Sequence, residues 1–184
     1  MSKQAAQNTT NQITEGVIWK QLLIFFFPIL FGTFFQQLYN TADAIIVGNF
    51  VGKEALASVG GSASTIINLL VGFFVGLSSG ATVIISQYYG ADNRRRVSDS
   101  VHTAIALAIA GGVVIMLIGL VSARFALTAM GTPDDILSLS LTYMKIYYLG
   151  TIPSMIYNMG SGILRALGDS KRPLLFLVVC TIVN

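Results

Sequence analysis

Charge is what this 184-residue sequence has least of. Asp, Glu, Lys and Arg make up 10% of it, against about 25% in an ordinary soluble domain. Together with a hydrophobic content of 54% and a mean hydropathy of +0.72, that scarcity excludes a soluble globular fold and leaves a polytopic membrane chain. Cysteine is nearly absent as well. Cys180 has no partner, which excludes a disulfide within the chain, and in its apolar run it reads as a small buried hydrophobe. There is one histidine and no His-Glu zinc pattern, and the serines have no convincing His or Lys partner at membrane depth, which argues against an intramembrane enzyme. His102 itself reads as a solvated interfacial residue rather than a proton relay. The net charge of +3 and pI near 9.1 point to no nucleic acid partner, because the basic residues lie in short loops between apolar runs, where they set membrane topology.

What is there is apolar and segmented. Residues 1–15 are polar, with neither an apolar centre nor a cleavage site, and read as a short tail. A membrane helix needs about 20 mainly apolar residues. The first span begins near Trp19-Lys20 and runs to about Val47, with Pro28 inside it inviting a bend, and Gly48-Asn49 and Gly52-Lys53-Glu54 make a turn. No charge occurs from Ala55 to Ala91, and Ile66–Leu77 is the centre of a second span closed by interfacial tyrosines and Gly90. Gly72, Gly76 and Gly80 are expected to pack within one bundle rather than to form a dimer face. A loop at Asp92–Asp99 carries Arg94-Arg95-Arg96, and a third span covers about Val101 to Val121. Thr132-Pro133-Asp134-Asp135 is a helix start with Thr132 as N-cap. The two aspartates point about 100° apart on a helix, with no third ligand near, so no metal site is expected there. The fourth span covers about Lys145 to Leu164, entered through a belt of Tyr143, Tyr147 and Tyr148. After the loop Arg165–Pro173, a fifth run begins at Leu174 and is cut off at Asn184, which reads as truncation of a longer chain. Basic residues concentrate after spans two and four, which places the N-terminus in the cytoplasm.

The chemistry concentrates in Pro28–Gly52. It carries one carboxylate, Asp43, with no basic residue nearby in sequence. An ionisable group at membrane depth costs about 2.5–3.5 kcal/mol on insertion scales and faces a bundle interior or water-filled cavity, where it marks an ion or substrate pathway. At 100° per residue Gln36, Asn40, Asp43 and Val47 share one face, with Tyr39 beside them. Asn158 and Tyr157 add polar groups at depth in the fourth span.

Pro28, Gln36, Asn40, Asp43 and Val47-Gly48, then Ser86-Gln87 and Gly90-Ala91, then Arg165-Ala166-x-Gly168-Asp169-x-Lys171-x-Pro173, in this order relative to the spans, resemble the N-terminal lobe of the multidrug and toxic compound extrusion (MATE) transporters. The match runs from about Gly16 to the end. The resemblance implies an all-α polytopic membrane protein of two six-helix lobes, of which this chain supplies about four and a half transmembrane helices of one lobe. Residues 16–184 are then the N-terminal lobe, truncated in the fifth helix. It implies a secondary antiporter in a bacterial inner membrane that exports organic cations or drugs in exchange for H⁺ or Na⁺, with no cofactor. Its partners would be the substrates, the bilayer and the second lobe. Asp43 and Asn184 match ion-coupling positions, and Gln36 and Asn158 match polar positions of the lobe cavity. The stripe on the first span adds Tyr39 and Asn40 to that cavity, and Pro28 is the expected hinge. Two alternatives are an exporter of lipid-linked oligosaccharide or polysaccharide, which calls for cationic residues inside the spans, and a non-transporting membrane fragment.

Overall fold

The computed structural model describes residues 18–183, so the polar tail 1–15 and Asn184 lie outside it. Every element in it is helical. α1 (Ile18–Ile46) leads through a π-helical turn, Val47–Val51, into α2 (Lys53–Gly60), and α3 (Ser62–Gly90) and α4 (Arg94–Ala129) follow. α5 (Asp134–Leu149), α6 (Thr151–Ala166) and α7 (Lys171–Val183) complete the described chain. Three stretches, Leu22–Val51, Lys53–Gly90 and Arg94–Ala129, are long and apolar enough to cross a membrane. The fourth span starts earlier than expected. The helical stretch there is α5 followed by α6 with only Gly150 between them, and it reaches back to Asp134. At 1.5 Å per residue these 16-residue helices are each about 24 Å long, and a bilayer core of about 30 Å needs more than one of them.

The helix ends show why the chain turns where it does. After α4 the amide of Thr132 donates to the Leu127 carbonyl (3.1 Å), with Gly131 at φ +72°. After α6 the amide of Asp169 donates to the Leu164 carbonyl (2.8 Å), with Gly168 at φ +89°. Both are six-to-one closures that need a left-handed residue, which glycine supplies without a Cβ clash. α3 closes the same way, but the left-handed residue is Asp92 (φ 51°) rather than Gly90. Asn93 then caps α4 by accepting from the Arg96 amide (3.2 Å), so the three arginines form the first turn of α4 and not a loop. Pro133, not Thr132, occupies the capping position of α5, and the Thr132 hydroxyl is buried without a hydrogen-bond partner among the described residues. Asp134 and Asp135 do sit in the first turn of α5, where the helix dipole favours acids.

α7 starts on a carboxylate. Asp169 Oδ1 accepts from the amides of Lys171 and Arg172 (3.1 Å each), and its other oxygen pairs with Arg172 (3.0 Å). Losing a capping side chain costs about 1 kcal/mol, while a pair as exposed as this one adds little. Asp169→Ala should therefore lower the unfolding free energy of the protein by about 1 kcal/mol, read as a small drop in thermal midpoint in detergent. Asp169→Asn, which keeps an acceptor, should lose less than half of that.

The core lies among α3, α4, α5 and α6. One buried cluster joins Phe74, Ile85, Ala104, Ala108, Met155 and Met159, and a second joins Ala63, Ala123, Leu127, Met144 and Tyr148. Tyr148 is thus a core residue, 4% exposed, and not part of an interfacial belt. The packing glycines also differ from those expected. A Cβ added at Gly72, Gly76 or Gly80 meets nothing within 4 Å, so among the described residues that stripe packs against no neighbour. Close approach occurs instead at Gly112 against Ile152, at Gly119 against the Tyr148 ring, and at Gly162 against the hydroxyls of Ser78 and Thr82. Helices in a membrane associate through such backbone contacts because lipid supplies no hydrophobic drive. α1 stands apart, pairing with α7 where Gly32 meets Leu174 and Leu177. Much of its surface, including Leu22, Phe26 and Phe34, is exposed and apolar, as a lipid-facing surface requires.

Candidate functional site

A cavity of about 600 Å³ lies between the α1–α7 pair and the wall made by α3 and α6. α1 contributes Pro28, Gly32, Thr33 and Gln36, α3 contributes Val71, Phe74 and Val75, and α7 contributes Pro173, Leu174, Leu177 and Cys180. Largely apolar walls carrying a few polar groups, at a volume within about 300–1,000 Å³, are what a small-molecule site requires. α6 supplies most of the polar groups: Ser154, Tyr157, Asn158, Ser161 and Arg165 recur at helical spacing and line the same space. This stripe is readable from the sequence, yet only Tyr157 and Asn158 stood out there, because Arg165 read as a loop residue. It belongs to the last turn of α6.

Three expected site residues meet at this cavity: Pro28, Gln36 and Asn158. The Asn158 amide donates to the Ser154 carbonyl (2.8 Å), and its backbone carbonyl accepts from Ser78 on α3 (2.8 Å), so the residue is fixed against the neighbouring helix. Pro28 does not interrupt α1, which runs unbroken from Ile18 to Ile46. Asp43, Tyr39 and Asn40 do not line the cavity. Asp43 lies seven residues beyond Gln36, about 10 Å further along the helix. There the Tyr39 side chain hydrogen-bonds to it and Tyr143 of α5 faces it within electrostatic range. Asn40 is exposed. Asn184, the expected partner of Asp43, is outside the described residues. Cys180 is exposed and lines the cavity, contrary to its reading as a buried hydrophobe. His102 is exposed, with Nδ1 2.8 Å from the Ser98 carbonyl. Among the described residues, no three His, Cys, Asp or Glu side chains come together to hold a metal.

The family model MatE matches residues 28–184. The chain belongs to the MatE family. This is a family of transporters, not of enzymes, and the chain is accordingly a multi-pass membrane protein. YoeA of Bacillus subtilis, a probable multidrug resistance protein, is 30% identical over 175 residues, covering 95% of this chain and 38% of YoeA. A MOP superfamily transporter from Pyrococcus furiosus, described as having a binding pocket of reverse polarity, superimposes with a TM-score of 0.87 at 27% identity, over 94% of this chain and 38% of its own. A MATE crystallised in a bent conformation gives a TM-score of 0.80 at 27% identity, over 88% of this chain and 36% of its own. The chain thus spans about 38% of the length of curated relatives such as YoeA.

Proposed function

We propose that this chain forms the first lobe of a two-lobe antiporter that exports drug-like organic compounds, cations included, across a bacterial inner membrane in exchange for H⁺ or Na⁺. Its N-terminus is cytoplasmic, since basic residues gather after spans two and four. The observation that carries the reading is the placement of α1. It lends Pro28 and Gln36 to the cavity wall and holds Asp43 about 10 Å further on. A carboxylate at membrane depth is the kind of group through which an ion pathway runs. When an ion arrives, the hydrogen bond from Tyr39 and the field at Tyr143 change, and with them the preferred packing of α1 on its neighbours. Pro28 lacks the amide that would bond the Ile24 carbonyl, so α1 bends there at least cost. A MATE has been solved in a bent conformation, which supports bending within this architecture. Rocking of two lobes around the cavity then gives alternating access.

The test is efflux of a fluorescent organic cation from proteoliposomes holding the full-length protein, under a pH gradient and a Na⁺ gradient applied separately. One gradient should accelerate efflux several-fold over the gradient-free rate. No acceleration by either, in protein shown to be inserted and folded, would reject ion-coupled antiport and turn the reading toward export of a lipid-linked glycan.

A further inference from the structure

Arg165 and Ser170 occupy the same end of the cavity. Arg165 is half-buried, and it is the only charged side chain lining the cavity among the described residues. The nearest carboxylate in sequence, Asp169, is already taken by Arg172 and by the first amides of α7. Among the described residues the ion pairs are Arg94–Asp92 and Arg172–Asp169, which leaves the Arg165 guanidinium without an acidic partner. Ser170 is 6% exposed, lines the cavity, and makes no side-chain hydrogen bond among the described residues. Tyr157 and Ser161 continue the line along α6, bonded to each other, with Tyr157 in the field of Arg165. A guanidinium without a carboxylate and a serine hydroxyl open to the same chamber can both donate to an acceptor placed there. Arginine's planar fork fits a carboxylate or phosphate with two parallel bonds.

We propose that Arg165 and Ser170 form an anion subsite, so that the cavity takes amphipathic compounds carrying a phosphate, sulfonate or carboxylate on an apolar body. The anionic oxygens accept from the guanidinium and from the Ser170 hydroxyl, while the apolar body lies against Phe74, Leu174 and Leu177. Asp43 sits beyond the Gln36 end of the cavity and Arg165 at the Pro28 end, since α1 and α7 run in the same direction, Gly32 meeting Leu174 and Tyr39 standing near Cys180. Cargo bearing both an anionic and a cationic group would satisfy both ends. This rests on the cavity being the cargo site. The test reads binding alone, so it can fail while ion-coupled transport stands, and the reverse.

Calorimetric titration of the full-length protein in maltoside micelles, blanked against empty micelles, would compare octyl phosphate, octyltrimethylammonium and inorganic phosphate. Octyl phosphate should bind at least tenfold more tightly than either of the others. Arg165→Gln should weaken octyl phosphate at least tenfold, Arg165→Lys less, and Ser170→Ala a few-fold, while none of them weakens octyltrimethylammonium. If Arg165→Gln does not fold, the native protein still decides: octyl phosphate should slow phenylglyoxal modification of Arg165, mapped by peptide mass, and leave Arg94–Arg96 unprotected. Equal affinity of native and Arg165→Gln protein for octyl phosphate, or an unprotected Arg165, would overturn the subsite. Inorganic phosphate binding as tightly as octyl phosphate would overturn the amphiphile assignment.

Discussion

Asp43→Asn should collapse gradient-driven efflux while leaving the protein folded. Asparagine has the size of aspartate and keeps a carbonyl oxygen to accept from Tyr39, the side chain bonded to Asp43, so the local packing of α1 has little reason to change. What disappears is the charge proposed to bind a proton or Na⁺. Antiport is a negative coupling between ion and cargo, and coupling free energies of about 1–3 kcal/mol correspond to changes of roughly 5–150-fold. Flux under the driving gradient should fall within that range, toward the rate seen without a gradient, while binding of a fluorescent cargo at equilibrium loses its dependence on the ion. Tyr143→Phe, which removes the second hydroxyl facing Asp43, should have a smaller effect in the same direction. Unchanged gradient-driven flux in Asp43→Asn would place the coupling group elsewhere.

Gly119→Val should strongly destabilise the described bundle. A Cβ there overlaps the Tyr148 ring at Cε1, Cδ1 and Cζ. That ring cannot retreat, because Tyr148 is enclosed with Ala63, Ala123, Leu127 and Met144. Overpacking a core costs about 1–3 kcal/mol and at times more. The better helix propensity of valine over glycine returns only a few tenths of a kcal/mol. The fitting control is Gly160→Val on α6, where a Cβ meets nothing within 4 Å and the same propensity gain should leave stability unchanged or slightly raised. Thermal unfolding in detergent distinguishes them. Adding Tyr148→Ala to Gly119→Val should cost less than the sum of the two single changes, since the ring is the obstacle; neighbours in contact couple by about 0.5–3 kcal/mol. Strict additivity would mean that the two residues do not meet as described.

That the chain is helical and embedded in a membrane, roughly where its helices start and stop, and which face of α1 carries the polar groups are all legible in the order of its residues. These are local properties. Hydropathy over about 20 residues, the 100° step of the helix and the chemistry of caps act between residues close in the chain. Gln36 and Asn158 were legible for that reason, each being an amide in an apolar helix, and both line the cavity. Which glycines pack follows from helix-on-helix contact: Gly72, Gly76 and Gly80 form the more regular pattern, yet Gly112, Gly119 and Gly162 meet their neighbours. The same contact decides that Tyr148 is core, that the cavity wall ends at Arg165, and that Asp43 stands with Tyr39 and Tyr143 beyond the cavity rather than in it. Each of these depends on which helix lies against which. Residues 29 and 84 positions apart, as Gly119 and Tyr148 or Gly162 and Ser78 are, meet only because whole helices have chosen their rotation and height against one another. The summed packing of the bundle sets that choice, and no local period records it.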